Sequence, residues 1–542
     1  MKGKVHISIV LVVAIMLVIA AGANAQGGNV TPILPGPETS LPDFIGMPAK
    51  PHPIANSGVP QNPFLAPNPF NSAHLDSWNS DVADVAGPLG RDPAVLSSTF
   101  AEARHQSDPG DLAPPWIFQC IPAYFDSRGR LLTVCFSSTE ATVVLADPDT
   151  LQVLSHYQLE LPSGAPYKGL GRQKIVSSMG SSYSYVNGRD QITVASGSRK
   201  IITLIEGGSE ESPVLELPEG NTYDLSGVIP TVNRITGVML DWQGRIWFTT
   251  APALADNPAA GPTAGVLNPA TYQPADPQSV KQLKLSSNET IVNTFAVTKD
   301  SAYILTSLKL YRLRAGSDDD PYVVWSEPYK TIGEVRLGQY ELGSGTSPTI
   351  LGEGKYVAIT DNDTQLNVVV FRTDERLDPN ENRKVCQVPV FDFPGGAAGA
   401  SSNSLVGIRL SLIVSNNYDY WFDWESGQLL SPSAPGFERI DIDPNGKGCR
   451  KVWVNSEVAS PWSPRLSTRT GLIYTIARET DENGINVYFW TALDFHTGKT
   501  VWQKMAGTGD RFDGFYPAIG IGPNGALYAG AYCGFLTIGD TR

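Results

Sequence analysis

The sequence predicts an all-β fold in which repeated hairpin units form a single β-propeller. The chain of 542 residues contains 52 Gly and 42 Pro, and 17% of its residues are charged. This composition favours strands and turns over long helices. Turns rich in Asp, Asn and Gly, each followed by β-branched or aromatic residues, recur at 126–131, 241–248 and 523–528. Many such units in series, with no helical pattern between them, are typical of a β-propeller.

The number of units predicts the number of blades. Units begin near residues 117, 174, 229, 290, 345, 403, 460 and 515, with an average spacing of about 54 residues. Eight units predict an eight-bladed ring, and seven blades is the alternative, because weak repeats are easily miscounted. The last unit holds three predicted strands, at 517–522, 526–531 and 535–538. Closing the ring therefore requires a strand from before residue 117.

The region before the repeats has two parts of different character. Residues 1–25 resemble a secretory signal peptide: Lys2 and Lys4 precede an apolar run at 7–21, and 23–25 offer a small-x-small cleavage site. The apolar run is shorter than the ~20 residues needed to cross a bilayer. Residues 26–114 are predicted to be extended and Pro-rich, with 11 prolines between 32 and 69, and to form either a linker or a strap lying over the folded body. The propeller is predicted to span 115–542, and the product to be secreted or periplasmic.

Charge and hydropathy restrict the partners. A net charge of −14 argues against nucleic acid, because phosphate contacts need a basic surface. No second apolar stretch is long enough to span a membrane once the signal is removed. We expect a monomer whose partner is a protein, a glycan or a small molecule.

Export places the five cysteines in an oxidising compartment, where pairing is expected. Cys120 and Cys135 face each other across a hairpin centred on residues 127 and 128. Cys386 and Cys449 are the next candidates for a disulfide, which leaves Cys533 outside both pairs.

One C-terminal segment carries a recognisable motif. Ala492, Asp494, Gly498 and Trp502 fit A-x-D-x-x-x-G-x-x-x-W, which resembles the tryptophan-docking repeat of the quinoprotein alcohol dehydrogenase-like propellers, the pyrroloquinoline quinone (PQQ)-like repeat. The resemblance implies that Trp502 packs between blades while Asp494 and Gly498 shape the preceding turn. The chain also resembles a group of exported propellers of unassigned activity, through residues 74–78 and 416–418.

The resemblance has consequences for cofactors. Members of that superfamily that oxidise alcohols carry PQQ over a calcium ion, commonly beside two adjacent cysteines. This sequence contains no adjacent cysteines. This departure argues against PQQ, so no cofactor is assigned and calcium remains an alternative.

Candidate site residues come from two regions. Amide and carboxylate side chains near the starts of successive units could present oxygens to the central channel, as a hard cation such as calcium requires: Asn293, Asp361, Asn362, Asn416 and Asn417. The alternative is that these side chains cap strand ends. In the strap, His74 and Asp76 could supply a general base over the channel mouth, or simply be solvated.

Three functions are compatible with this sequence. The first hypothesis is an exported binding or scaffold module, because the sequence displays no catalytic constellation. The second is a calcium-dependent hydrolase acting on a lactone or ester. The third is a quinone-dependent oxidoreductase.

Overall fold

The computed structural model describes residues 30–101, 118–137, 140–161, 181–197, 199–252, 260–339, 341–392, 399–423 and 428–541. They form a ring of eight antiparallel sheets, so the predicted eight-bladed β-propeller is confirmed. The predicted signal peptide, residues 1–25, lies outside the described residues.

Each blade is built from consecutive strands, as hairpin units require. The N-terminal segment contains β1 (Phe44–Gly46), β2 (Val82–Ala83) and β3 (Pro93–Ser98). Blade 1 contains β4 (Phe118–Cys120), β5 (Tyr124–Phe125), β6 (Leu131–Ser137), β7 (Ala141–Ala146) and β8 (Val153–Gln158). Blade 2 contains β9 (Tyr185–Val186), β10 (Ile192–Ser196), β11 (Lys200–Ser209), β12 (Ser212–Glu216) and β13 (Thr222–Asp224). Blade 3 contains β14 (Asn233–Leu240), β15 (Ile246–Pro252), β16 (Thr263–Leu267) and β17 (Val280–Lys284). Blade 4 contains β18 (Ala296–Val297), β19 (Ala302–Leu305), β20 (Lys309–Ala315) and β21 (Pro321–Pro328).

The second half of the ring repeats this plan with one insertion. Blade 5 contains β22 (Thr349–Leu351), β23 (Tyr356–Thr360), β24 (Asn367–Arg372) and β25 (Lys384–Pro389). Blade 6 contains β26 (Val406–Ile408), β27 (Ser411–Ser415), an inserted hairpin β28 (Trp421–Asp423) and β29 (Gln428–Ser431), then β30 (Phe437–Ile442) and β31 (Cys449–Asn455). Blade 7 contains β32 (Arg465–Ser467), β33 (Leu472–Thr480), β34 (Asn486–Asp494) and β35 (Thr500–Thr508). Blade 8 contains β36 (Gly520–Ile521), β37 (Leu527–Ala531) and β38 (Gly534–Asp540).

Helical structure is minor in the described residues. Two single 3-10 turns lie at Pro277–Ser279 and Asp510–Phe512. None of the helices in the described ranges has the length and apolar character needed to cross a membrane.

Apolar side chains fill the spaces between neighbouring blades. One cluster joins blades 7 and 8 through Trp490, Leu527 and Leu536. Another joins blades 5 and 6 through Val368 and Leu412. Because both faces of a blade are covered in this way, its middle strands are apolar at successive positions.

The N-terminal segment closes the ring, as predicted from the incomplete last unit. Strand β3 pairs with β38 along its whole length, from Pro93↔Asp540 to Ser98↔Phe535, and supplies the outermost strand of blade 8. The carboxylate of Asp540 also accepts hydrogen bonds from the backbone N–H groups of Leu89 (2.7 Å) and Gly90 (3.0 Å). The closure covers an edge that would otherwise be open to pairing with another chain.

Another part of this segment enters the ring rather than lying over it. Residues 62–83, here called the plug, run through the central channel. Hydrogen bonds join them to the innermost strands of blades 1 to 7: Phe70 to Phe125, Asn71 to Val186, Asn62 to Leu240, Ser77 to Val297, Trp78 to Ile350, Ser80 to Gly407, and Asp81 to Leu466. The plug thus pairs with backbone groups that an empty channel would leave exposed.

Both predicted disulfides are confirmed. Cys120 and Cys135 are opposite each other in the pairing of β4 with β6, within blade 1. Cys386 and Cys449 join the outermost strands of blades 5 and 6. Cys533 is buried outside both bridges.

Replacing Cys386 and Cys449 together by serine is expected to lower the free energy of unfolding by about 3 kcal/mol. The bridge closes a chain segment of 63 residues, and its loss increases the freedom of the unfolded chain. Chemical denaturation of the variant and the wild type, both non-reduced, measures the difference. Equal midpoints and slopes would contradict the expectation.

The docking motif contacts a tryptophan that lies outside the motif, in the preceding blade. Trp453 of blade 6 donates its indole N–H to the Phe495 carbonyl (2.9 Å). Its ring covers Gly498 of blade 7, where a Cβ atom would lie 2.4 Å from the indole. Gly498 also has φ +72°, so both the close contact and the backbone require glycine there.

The predicted motif residues have related positions in blade 7. Asp494 accepts hydrogen bonds from Thr497 N–H and its hydroxyl, both at 2.8 Å, which shapes the turn. Ala492 and Trp502 are fully buried, and Trp502 belongs to the cluster between blades 7 and 8. A Cβ atom on Gly90 would lie 2.9 Å from the Trp502 ring. The N-terminal segment therefore covers the indole of Trp502.

Candidate functional site

The sequence-predicted amides and carboxylates lie at one end of the ring. We call this end the upper face: it is where each innermost strand begins and where the second strand of each blade ends. Asn293 precedes β18, Asp361 and Asn362 follow β23, and Asn416 and Asn417 follow β27. In an antiparallel blade these positions share one end of the sheet.

Asp361 and Asn362 bond to groups in their own neighbourhood. Asp361 accepts hydrogen bonds from the N–H of Asn367 (2.8 Å) and from its side-chain amide (2.8 Å). Burial raises the pKa of Asp361 to about 6. The Asn362 side-chain oxygen accepts a hydrogen bond from Arg336 Nε at 3.0 Å. Arg336 lies in the stretch 329–347, here called the upper loop, so Asn362 anchors that loop.

The remaining amides also fix loops on this face. Asn293 donates to the Gly345 carbonyl (2.8 Å) and accepts from the Tyr183 hydroxyl (3.1 Å). The side-chain oxygen of Asn416 accepts from Ala400 N–H at 3.2 Å. The side-chain oxygen of Asn417 accepts from the N–H groups of Ser402 and Asn403.

These contacts bear on the cofactors considered from the sequence. The oxygens expected to face a cation accept hydrogen bonds from N–H groups or, at Asn293, from a hydroxyl, and the positive charge of the Arg336 guanidinium at Asn362 opposes a cation there. In the described ranges no three His, Cys, Asp or Glu side chains form a group suited to a metal ion. A quinone on the ring axis does not fit, because the plug fills the channel between the innermost strands.

His74 and Asp76 lie inside the plug, not over the channel mouth, and they do not bond to each other. Asp76 caps the backbone that follows it: its carboxylate accepts from Trp78 N–H (2.9 Å), Ser80 N–H (3.2 Å) and the Ser80 hydroxyl. Burial raises the pKa of Asp76 to about 7. His74 instead contacts Asp81, seven residues further along the plug.

A continuous hydrogen-bonded chain connects the plug to the upper loop. His74 Nδ1 lies 3.0 Å from Asp81 Oδ1, and His74 Nε2 lies 3.1 Å from Ser347 Oγ. Ser404 Oγ is 3.4 Å from the same Nε2. Asp81 also forms an ion pair with Arg465 (2.9 Å), and both side chains are fully buried. The geometry sets Ser347, His74 and Asp81 in the order serine, histidine, carboxylate.

Unusual backbone conformations hold this arrangement. Leu75, Asn79 and Asp81 have φ values of 71°, 55° and 58°. Non-glycine residues adopt this left-handed region at an energetic cost, and such residues cluster at functional sites. The conformation turns the plug so that His74 and Asp81 face each other.

The described residues form two narrow crevices. The first lies between blades 4 and 5 and is lined by Asn293, Leu342, Ser344 and Thr346 among others. The second lies beside the inserted hairpin of blade 6. Its lining includes Tyr420, Ser433, Arg478 and Asp513.

The second crevice collects polar atoms that lack partners. Among the described residues, Asp513 Oδ2, Ser433 Oγ and Arg478 Nε are buried and form no hydrogen bond. The Tyr488 hydroxyl is near enough to affect the pKa of Asp513, but outside hydrogen-bonding geometry. Burial raises the pKa of Asp513 to about 7. Buried polar atoms are almost always paired, so these three atoms are available to a ligand or to ordered water.

Stability is expected to fall as the pH rises from 5 to 8. In the folded protein the pKa values of Asp76 and Asp513 are about 7 and that of Asp361 is about 6, against an ordinary value of 3.8. The folded state therefore keeps protons that the unfolded chain releases near pH 4. This stabilisation is complete below pH 4 and is lost as the pH rises through 6 to 7.

Calorimetry at constant ionic strength measures this effect as a melting temperature at each pH. Carboxylates whose pKa is lowered, such as Asp300 and Asp392, stay ionised in both states above pH 5 and do not contribute in this window. A melting temperature that rises between pH 5 and pH 8 would contradict the expectation.

Comparison with known proteins gives distant likenesses. No protein-family profile matches the chain. An uncharacterized protein of Archaeoglobus fulgidus is 26% identical over 275 residues, which are 45% of this chain and 51% of that protein. The chain thus spans about half the length of the curated relative it matches.

Two solved structures illustrate the likeness. Sqt1 of Chaetomium thermophilum has a TM-score of 0.46 and 8% identity, over 80% of this chain and 98% of that one. A candidate 6-phosphogluconolactonase of Bacteroides fragilis has a TM-score of 0.35 and 11% identity, over 74% and 99%. The chain is a β-propeller protein. Its strand order carries that conclusion, and neither likeness bears on what it binds.

Proposed function

We propose that this protein is an exported β-propeller that binds a carbohydrate in the crevice formed by Tyr420, Ser433, Arg478 and Asp513. The observation that carries the proposal is the convergence of three buried, unpartnered polar atoms there. Export is supported by the signal-like residues 1–25 and by two disulfides.

The chemistry of the crevice favours a neutral ligand that both donates and accepts hydrogen bonds. Asp513 and Arg478 have opposite charges, so the ligand needs no net charge. Arg478 Nε donates, Asp513 Oδ2 accepts when ionised, and Ser433 can do either. A pair of sugar hydroxyl groups satisfies all three atoms.

The surroundings also suit a sugar. Trp421, the neighbour of Tyr420 in sequence, has 56% of its surface exposed. An aromatic ring at the surface offers an apolar face to the C–H groups of a sugar. The crevice is too narrow to enclose a sugar ring, so we expect the end group of a glycan to contact it through its hydroxyl groups.

One contact between blades supports an evolutionary relationship with a known group of propellers. The contact of Trp453 with Gly498 and the Phe495 carbonyl supports a relationship with the quinoprotein-like propellers, through the repeat found in the sequence. In this chain the repeat serves to dock blade 7 on blade 6.

Saturation-transfer NMR and calorimetric titration on the mature chain test the binding proposal. The probes are the methyl glycosides of glucose, galactose, mannose and N-acetylglucosamine. We expect at least one to bind, and Asp513→Asn to weaken that binding by about tenfold or more. Glu341→Gln, in the other crevice, is the matched control and should bind normally.

The Asp513→Asn variant has a second, opposite signature. It removes a carboxyl group that ionises at a cost when buried, so it should melt at a higher temperature than the wild type at pH 8. Loss of binding with a gain in stability distinguishes a ligand site from a structural role. If none of the four glycosides binds, or if Asp513→Asn binds like the wild type, the proposal is wrong.

A further inference from the structure

We infer that Ser347, His74 and Asp81 form a nucleophile, general base and orienting carboxylate that hydrolyse a short-chain acyl ester. This inference does not rest on the carbohydrate site, which lies in a different crevice. It rests on the two hydrogen-bond distances of 3.1 and 3.0 Å on either side of the His74 ring. These distances fall in the range expected for an activated serine.

The partners of His74 fix its protonation. Asp81 is an acceptor, so Nδ1 carries the proton and donates a hydrogen bond to the carboxylate. Nε2 is then an acceptor for the Ser347 hydroxyl, which is the tautomer a general base requires.

Arg465 offsets the buried negative charge of Asp81. Its fully buried guanidinium lies 2.9 Å from Asp81 Oδ1 and also donates to the Ala73 carbonyl at 2.8 Å. The ion pair balances the charge of Asp81, so no net charge lies beside the imidazole. Asp81 can therefore stabilise the imidazolium that forms when His74 accepts a proton.

The approach to Ser347 runs through the crevice between blades 4 and 5. Its lining includes Thr346, the residue before Ser347, together with the apolar side chains of Val292, Leu305 and Leu342. The apolar wall of this crevice suits a short acyl chain, which would enter once the crevice widens.

A side-chain bridge stands between this crevice and the serine. Ser347 is only 1% exposed. Asn293 joins the Tyr183 hydroxyl to the Gly345 carbonyl above it, through hydrogen bonds of 3.1 and 2.8 Å. Both Tyr183 and Asn293 are half-buried. Removing the Asn293 side chain should therefore open the route.

The reaction balances without a cofactor. Ser347 Oγ bonds to the acyl carbon while its proton passes to His74 Nε2, and the alcohol leaves with that proton as the ester C–O bond breaks. Water then attacks the acyl carbon and gives a proton to His74. The acyl C–O bond to Ser347 breaks, the carboxylic acid departs, and Ser347 recovers its proton.

The test uses the full mature chain with two probes, a fluorophosphonate that labels activated serines and p-nitrophenyl acetate. We expect peptide mapping to place the fluorophosphonate on Ser347. We expect Ser347→Ala to lower acetate release by about a thousandfold, to the uncatalysed background. Serine to alanine is nearly isosteric, so the variant should fold, and its melting temperature verifies this.

Two further variants sharpen the result. Ser460→Ala removes another buried upper-face serine, bonded to Thr475 and not to His74, and should react like the wild type. Asn293→Ala should be labelled several times faster than the wild type, because the bridge is gone.

Several outcomes would overturn the inference. They are no labelling of the wild type or of Asn293→Ala, labelling at Ser404 in place of Ser347, and acetate release by Ser347→Ala at the wild-type rate. The carbohydrate proposal is judged separately: Ser347→Ala should bind glycosides normally, and Asp513→Asn should be labelled normally.

Discussion

Replacing Arg465 by methionine is expected to lower the free energy of unfolding by about 3–5 kcal/mol, because Asp81 is left as a buried charge without its partner. Both side chains are fully buried, and Arg465 also holds the plug through the Ala73 carbonyl. Urea denaturation followed by tryptophan fluorescence measures the loss.

A double-mutant cycle separates the ion pair from packing. The Asp81→Asn variant should also be destabilised, since Arg465 then lacks its carboxylate. Combining Arg465→Met with Asp81→Asn removes both charges and should recover a large part of the loss. Arg128→Met is the matched control: its pair with Glu206 is half-exposed, and we expect a change of about 1 kcal/mol or less. A double variant no more stable than either single one would contradict the buried-charge explanation.

Replacing Trp78 by alanine should cost about 3–5 kcal/mol of stability. Trp78 is the largest side chain of the plug and packs in the cluster of Tyr303, Ile350 and Val357, between blades 4 and 5. Its loss leaves a cavity that neighbouring strands, fixed by their ladders, cannot close. The measurement is again the denaturation midpoint at constant slope.

Trp421→Ala supplies the control for this substitution. Trp421 lies in the inserted hairpin and is mostly exposed, so the same chemical change should alter stability by about 0.5 kcal/mol or less. If the two variants unfolded at the same denaturant concentration, the plug would not contribute to the core in the way proposed.

Much of the fold was predictable because its causes are local. Turn residues at 126–131 and 523–528 specify hairpins by themselves, and repeated hairpins without helices leave few architectures. The count of three strands in the last unit led to the missing strand, which is β3. The pairing of Cys120 with Cys135 followed from the register of one hairpin.

The position of the strap was harder to predict because its contacts are distant in sequence. The high proline content around residues 62–69 indicates an extended chain, but an extended chain can lie over a ring or inside it. The strap lies inside the ring because it pairs with the innermost strands of seven blades. Backbone groups are the same in nearly every residue, so the sequence does not reveal this pairing.

The candidate site was hard to predict for the same reason, because its residues are distant in sequence. His74 and Asp76 were singled out because both are ionisable residues in an unusual segment. The left-handed backbone at Leu75, Asn79 and Asp81 brings Asp81, rather than Asp76, to the imidazole. Ser347 lies 273 residues from His74, and nothing in its own neighbourhood distinguishes it. Arg465, in a strand of blade 7, was missed for the same reason.

The docking motif shows a partial success of another kind. Gly498 and Asp494 were recognised as turn-forming residues, and both have that role. The tryptophan that rests on Gly498 is Trp453 of the preceding blade, whereas Trp502 packs in the cluster between blades 7 and 8. A motif in one blade therefore identifies the surface that a neighbouring blade contacts, but not the residue of that blade that makes the contact.

The plug also has a consequence for how the chain folds. The plug is near the start of the chain, whereas the strands around it are synthesised later. In the same N-terminal segment, Leu89 bonds to Asp540, which is 451 residues away. Contacts at such separations slow folding, because the chain must be brought together before they form. They also cannot form until the last blade has been synthesised. We therefore expect the N-terminal segment to be locked in place last, when blade 8 arrives.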